Sequence, residues 1–173
     1  MKAIVVYESH WGNTAAIARA IAQGLGSGAR ALSTAEAVGE AVAGVDLIVA
    51  GAPLLGFSLP TEAMVKSLAG EANKGSTPPD LSHPAMRAWL DGLAAGRGHA
   101  AAFETRIWWS PGSAAKTILG ELEERGFQPL AKAERFIVEG KYGPLRAGEV
   151  ERAQAWGEAL AQAWAGLRSG SGE

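Results

Sequence analysis

The chain has 173 residues, a net charge of −2, 47% hydrophobic and 20% charged residues, and no cysteine. That length suits one domain with a core between two helical layers, and the composition is that of a globular chain rather than a disordered one. The charge balance leaves no basic footprint for nucleic acid, and without cysteine there are no disulfides, thiolate metal ligands or thiol nucleophiles.

Lys2 leads straight into a five-residue apolar run, too short for a signal peptide. No apolar stretch approaches the ~20 residues of a membrane span. The expected location is cytoplasmic, with no membrane partner.

Residues 3–7 (AIVVY) are β-branched and fully apolar, as expected of a central parallel strand covered on both faces. Gly12-Asn13 breaks the run, and Ile17, Ile21 and Leu25 then follow at helical spacing. Asn13 is the candidate cap of that helix, and Gly24 or Gly26 its end. Residues 29–33 read as a weaker strand, followed by an Ala-rich helix over 34–42. Residues 45–51 (VDLIVAG) form a second strong buried strand.

The stretch 52–84 exceeds an ordinary connection. It reads as a short helix over 61–68, then a polar loop (GEANKGSTPPDLSHP) without periodicity. Residues 85–93 return to helix, with Met86, Trp89, Leu90 and Leu93 on one face. Residues 99–104 are a strand. Residues 113–125 are a helix with Ile118, Leu119 and Leu122 inward and Gly126 placed to end it. Residues 136–138 fall in the last strand, and an apolar stripe from Val150 through Ala153, Gly157, Leu160 and Trp164 to Leu167 marks the final helix. The reading is a single domain over 1–168 and a flexible tail over 169–173.

Strands alternate with helices five times, which implies a doubly wound α/β sheet with its ligand site beyond the carboxyl ends of the strands. Three loops leave those ends. The first, Ser9-His10-Trp11-Gly12-Asn13-Thr14, joins a buried strand to a helix N-terminus and suits a phosphate through backbone N–H groups and the Ser9 and Thr14 hydroxyls. It carries no Lys or Arg, so neutral donors and the helix dipole would do the binding. It is neither a Walker loop nor a GxGxxG fingerprint. A tight turn and helix cap would use the same residues.

This loop resembles the FMN-phosphate loop of the flavodoxin family, commonly Ser/Thr-x-Thr-Gly-Asn-Thr. Ser9, Gly12, Asn13 and Thr14 match it, and Trp11 stands where many members carry a hydroxyl. The second loop, Pro53-Leu54-Leu55-Gly56-Phe57, resembles the family's segment beside the isoalloxazine, with Leu54 replacing a hydroxyl residue. The third, from Thr105 and Arg106 through Trp108 and Trp109 to Gly112, corresponds to the second flavin-contacting loop. Gly143-Pro144-Leu145 ahead of Gly148-Glu149 is similar to a subgroup of bacterial flavodoxin-like proteins.

The resemblance implies a five-stranded parallel sheet of order 2-1-3-4-5, FMN as cofactor, and electron transfer as the activity. It also implies that the peptide at Gly56 can turn towards the flavin on reduction. His10 reads either as a phosphate donor or as a solvent-facing residue, Trp11 as a packing or lid residue, and Trp108 and Trp109 as covers for a flat ring or a subunit contact. His83 and His99 lack partners at metal-ligand spacing. A phosphoacceptor receiver domain is excluded, because the third strand ends at Ala50-Gly51 rather than an acceptor Asp. Three activities stay open. They are a carrier serving a redox partner protein, an FMN oxidoreductase passing electrons from a nicotinamide to a small quinone-like acceptor, and a binding module without cofactor. The near-neutral charge disfavours a strongly acidic carrier surface, and the long 52–84 stretch favours an enzyme pocket.

Overall fold

The computed structural model describes residues 1–71 and 77–170. Its strands are β1 (Ala3–Tyr7), β2 (Ala29–Ser33), β3 (Leu47–Pro53), β4 (His99–Arg106), β5 (Gln128–Pro129) and β6 (Glu134–Ile137). Helices are α1 (Asn13–Leu25), α2 (Glu62–Ser67), α3 (Met86–Gly92), α4 (Ala114–Glu124) and α5 (Glu149–Gly170). All ladders are parallel, in the order β2-β1-β3-β4-β5, with β6 also on β4. The fifth sheet position is therefore shared: β5 pairs with His99 and Ala100, and β6 pairs with the stretch from Phe103 to Arg106. Pro129 cannot donate to a ladder, which favours the break there.

Period-2 alternation sorts the strand residues onto two faces. Ile4, Val6, Ile48, Ala50, Ala100 and Ala102 face Met86, Trp89, Leu90, Ile118 and Leu122 of α3 and α4. Ala3, Val5, Leu47, Val49, Ala101 and Phe103 face Ile17, Ile21, Leu25, Ala153 and Leu160 of α1 and α5. Each fully buried Ile, Leu or Phe contributes about 1.5–3 kcal/mol, so both layers are needed to hold the apolar central strands. On the α5 side, Phe136 stands edge-on to Phe103 and Trp156, and the Arg152 guanidinium lies 4.3 Å from its ring centre.

Helices α1 and α5 meet backbone to backbone at Gly24 and Gly157. A Cβ at Gly24 would run into the Gln154 carbonyl, and one at Gly157 into the Ile21 carbonyl. The stripe expected along α5 is buried at Ala153, Gly157 and Leu160, but Val150 and Leu167 at its ends are exposed. The helix runs to Gly170, two residues into the expected tail, and 171–173 lie outside the described residues.

Three local expectations are corrected. Residues 34–42 form turns and a single 3-10 turn (Gly39–Ala41), not a helix. The reason is local: the Glu36 carboxylate accepts from the Ser33 N–H and hydroxyl, and Gly39 sits at φ 55°. Asn13 does not cap α1. Gly12 holds the cap position at φ 89°, which an L side chain rarely adopts, and Asn13 Nδ2 donates to Tyr142 O instead. The polar loop between α2 and α3 is described from residue 77 onward, while 72–76 lie outside the described residues. No helix among the described residues is long and apolar enough to cross a membrane.

Candidate functional site

The carboxyl edge of the sheet is organised by two buried carboxylates. Glu8 follows β1, and its Oε2 accepts from the Met86 N–H at the start of α3 (2.7 Å). Glu104, inside β4, accepts at Oε2 from Ser113 Oγ and the Ala115 N–H at the start of α4 (both 2.8 Å). A negative charge suits a helix N-terminus, so each strand end fastens a helix of the same layer. The remaining oxygens meet basic side chains. Glu104 Oε1 accepts from Arg106 Nη1 (2.8 Å), and Glu8 Oε1 lies 2.9 Å from His10 Nε2.

His10 has neither of its expected roles. It is buried, and its Nδ1 donates to the Asp80 carbonyl (2.8 Å) while Nε2 meets the Glu8 carboxylate. Both neighbours are acceptors, which the imidazolium satisfies at once. Burial works against that charge, but the Glu8 hydrogen bond and the Asp80 carbonyl outweigh it, and the His10 pKa is raised above its ordinary 6.5. No ring nitrogen is left for a phosphate.

A strap over 77–86 fixes the first loop from outside. Trp11 Nε1 donates to Thr77 O (3.2 Å), the Asp80 N–H to His10 O (2.7 Å), and His83 Nε2 to Ser9 O (2.7 Å). The His10 and His83 rings stack at 5.4 Å. On the other side Trp11 stands edge-on to Tyr142 (4.8 Å), and Tyr142 and Lys141 both reach Glu71, at 2.8 and 2.5 Å. Trp11 is thus a packing residue of the site wall.

Between these walls lies a cavity of about 340 Å³, within the range of small-molecule and cofactor sites. Eleven residues expected from sequence line it: Ser9, His10, Trp11, Asn13, Thr14, Pro53, Leu54, Leu55, Gly56, Thr105 and Arg106. Gly12 does not line it; it forms the left-handed turn by which the first loop enters α1. Gly112 contributes a carbonyl that accepts from Arg106 Nη1 (2.9 Å). Phe57, Trp108 and Trp109 do not line the cavity; they stand 60%, 64% and 62% exposed on its two flanking loops. Leu55 and Ser58 exchange backbone hydrogen bonds around Gly56 (φ 52°) and Phe57 (φ 71°), a two-residue turn with both central φ angles positive. Such turns prefer Gly or Asn, and Phe57 is the one non-glycine residue with positive φ among those described.

The sequence reading missed Met64, Ser67, Leu68, Val138 and Lys141, which also line the cavity, as do Ile107 and Ser110 of the expected third loop. Met64 and Leu68 carry an i, i+4 signal on the short-helix segment. Lys141 carries none, because the hairpin that brings it in depends on the Val138–Leu145 bridge.

The donors at the cavity are the kind that await a ligand. The first N–H groups of a helix have no intrahelical acceptor, and in α1 no capping side chain accepts from them either. Ser9 Oγ is buried without a hydrogen-bond partner, and so is Arg106 Nε. Thr14 Oγ1 and Thr105 Oγ1 share one hydrogen bond at 2.8 Å, which leaves one of their two hydroxyl protons unspent. Buried polar groups are nearly always satisfied, so two orphans at one cavity mark a site for an oxygen-rich ligand.

A doubly wound parallel sheet with its cavity at the β1/β3 switch point defines the class: an α/β protein whose cavity lies beyond the carboxyl ends of the strands. Comparison with solved structures narrows the architecture to the flavodoxin fold. A flavodoxin from the domain Archaea matches with a TM-score of 0.66 at 20% identity, over 95% of this chain and 99% of the other. Oxidised flavodoxin 2 from Bacillus cereus matches at 0.65 and 16% identity, over 94% and 99%. A WrbA-like flavodoxin protein from Agrobacterium tumefaciens matches at 0.57 and 16%, over 95% and 97%. No protein-family model and no curated protein matches the sequence.

Proposed function

We propose that the cavity binds FMN and that the protein serves flavin-linked electron transfer. The observation that carries this reading is the buried, unpartnered Ser9 hydroxyl beside the uncapped N-terminus of α1, at the switch point of a flavodoxin-like sheet. A dianionic phosphate suits that dipole and those free N–H groups. Ser9, the spare proton of the Thr14–Thr105 pair, and the backbone from Gly12 to Ala15 would hold it. The residues from Pro53 to Gly56, together with Thr105, Arg106 and Ile107, would wall the ring. Bound FMN supplies the electron chemistry; this chain positions it, screens it from water and sets its electrostatic surroundings.

A second reading, an FMN-dependent oxidoreductase with a small quinone-like acceptor, is favoured by the apolar wall that Met64 and Leu68 add to the cavity. The carrier reading calls instead for a redox partner protein. The purified protein should be yellow, or should bind added FMN more tightly than riboflavin or FAD. A colourless protein that binds no flavin would return the chain to the class of flavodoxin-like modules without cofactor. Consumption of NAD(P)H with a quinone, against reduction only through a partner reductase, separates the two flavin readings.

A further inference from the structure

The α4 side of the cavity carries a group that phosphate binding leaves unused. Arg106 ends β4 and is 5% exposed. Side chains alternate along a strand, so Arg106 shares a face with Glu104 and opposes Thr105. Thr105 reaches α1 through Thr14, whereas Arg106 is held against the start of α4. Its hydrogen bonds, to Glu104 Oε1 and Gly112 O, both run from Nη1. Nε is buried and unpartnered, and among the described residues no hydrogen bond engages Nη2. The Nε–Nη2 edge is one on which a guanidinium grips two acceptors at once, and here its other bidentate edge is spent at Nη1. Glu104 is itself pinned by Ser113 and Ala115, which locks the guanidinium from behind.

An unmet donor on a buried charge is destabilising unless a ligand completes it. The phosphate is not the natural partner. The α1 N-terminus and Arg106 lie on opposite faces of the sheet edge, and β3 separates β1 from β4. A ligand seated on α1 must straddle the edge to reach Arg106.

We propose that Arg106 is the ring-reading residue of the site. Its Nε–Nη2 edge takes a planar pair of acceptors, a ring nitrogen beside a carbonyl, such as the pyrimidine side of an isoalloxazine offers. This rests on the FMN reading and deepens it. A fixed cation there also favours the electron-rich reduced ring over the oxidised one, which raises the two-electron potential of the bound flavin.

The test titrates FMN and riboflavin, by flavin fluorescence, into the parent, Arg106→Lys and the double variant Arg106→Gln/Glu104→Gln. The lysine variant keeps the charge and loses the fork; the double variant leaves no unpaired buried carboxylate. Both flavins should weaken by the same factor, about tenfold or more for a lost charged hydrogen bond. In the double variant the potential of bound FMN should fall by about 30 mV for each tenfold loss confined to the reduced form. A loss for FMN without a loss for riboflavin would make Arg106 a phosphate contact and overturn the proposal, as would unchanged binding of both. An unmoved potential would overturn the charge effect. Thermal melts report folding, and if Arg106→Lys does not fold the double variant decides. A parent that binds neither flavin rejects the FMN reading itself; a parent that binds both beside unaffected variants rejects only the role of Arg106.

Discussion

Replacing Ser9 by Ala should have opposite consequences for the empty and the loaded protein. Ser9 is 7% exposed, and its hydroxyl is fully buried and meets no partner. Removing an unsatisfied buried polar group removes its desolvation cost, about 1–3 kcal/mol at full burial without compensation. The empty variant should therefore be as stable as the parent or more so. With FMN present, the hydroxyl becomes a donor to a charged phosphate, a bond worth about 1.5–3 kcal/mol. Affinity should then drop by about ten- to a hundredfold. Chemical denaturation of the flavin-free proteins gives the first quantity, and quenching of flavin fluorescence on titration gives the second. A structural residue would lose stability in both states. A flavin-free variant less stable than the parent, or one with unchanged FMN affinity, would refute the assignment.

Two further outcomes follow from neighbouring residues. His10 has a raised pKa, so its contribution to stability is complete below the unfolded value of about 6.5 and is lost as pH climbs through the higher folded value. Melts of the flavin-free protein should show stability falling as pH rises above about 6.5, and His10→Gln, which keeps a side chain that can donate, should flatten that slope; a parent without the slope removes the Glu8–His10 pair from the account. Phe57 sits at φ 71° in its turn, which costs an L residue about 1–2 kcal/mol. Phe57→Asn should recover about 1 kcal/mol in a urea titration, and a loss of stability would show that the exposed ring packs usefully.

The parts of the fold that were legible in the sequence are those whose cause is local. Ala3–Tyr7 and Leu47–Pro53 are runs with no polar face, which only a doubly covered strand tolerates, and the spacing of Ile17, Ile21 and Leu25 faithfully marks the buried side of α1. The Ala-rich stretch over 34–42 misled because alanine favours helix everywhere, while a side-chain bond from Glu36 back to Ser33 and a left-handed Gly39 decide this particular chain path. His10 was opaque for a different reason: its Nδ1 partner, Asp80, lies 70 residues away on a strap without periodicity. The site was legible as three loops because strand order alone brings them together. Its finer sorting was not. Nothing in Trp108-Trp109 says that the rings turn outward while Arg106 turns inward, since that depends on Glu104 and Gly112 holding the guanidinium.

The glycine contact between α1 and α5 bears on how the site can behave. With no side chains between the two backbones at Gly24 and Gly157, α1 has no cushion against which to tilt or slide. The N-terminus it presents to the cavity is a fixed dipole, oriented when the chain folds rather than when a ligand arrives. Ordering costs at binding then fall on the loops alone. Ligand-linked motion should be sought in the turn at Gly56 and the strap over 77–86, and the far C-terminal helix becomes a structural support of a cavity it does not line.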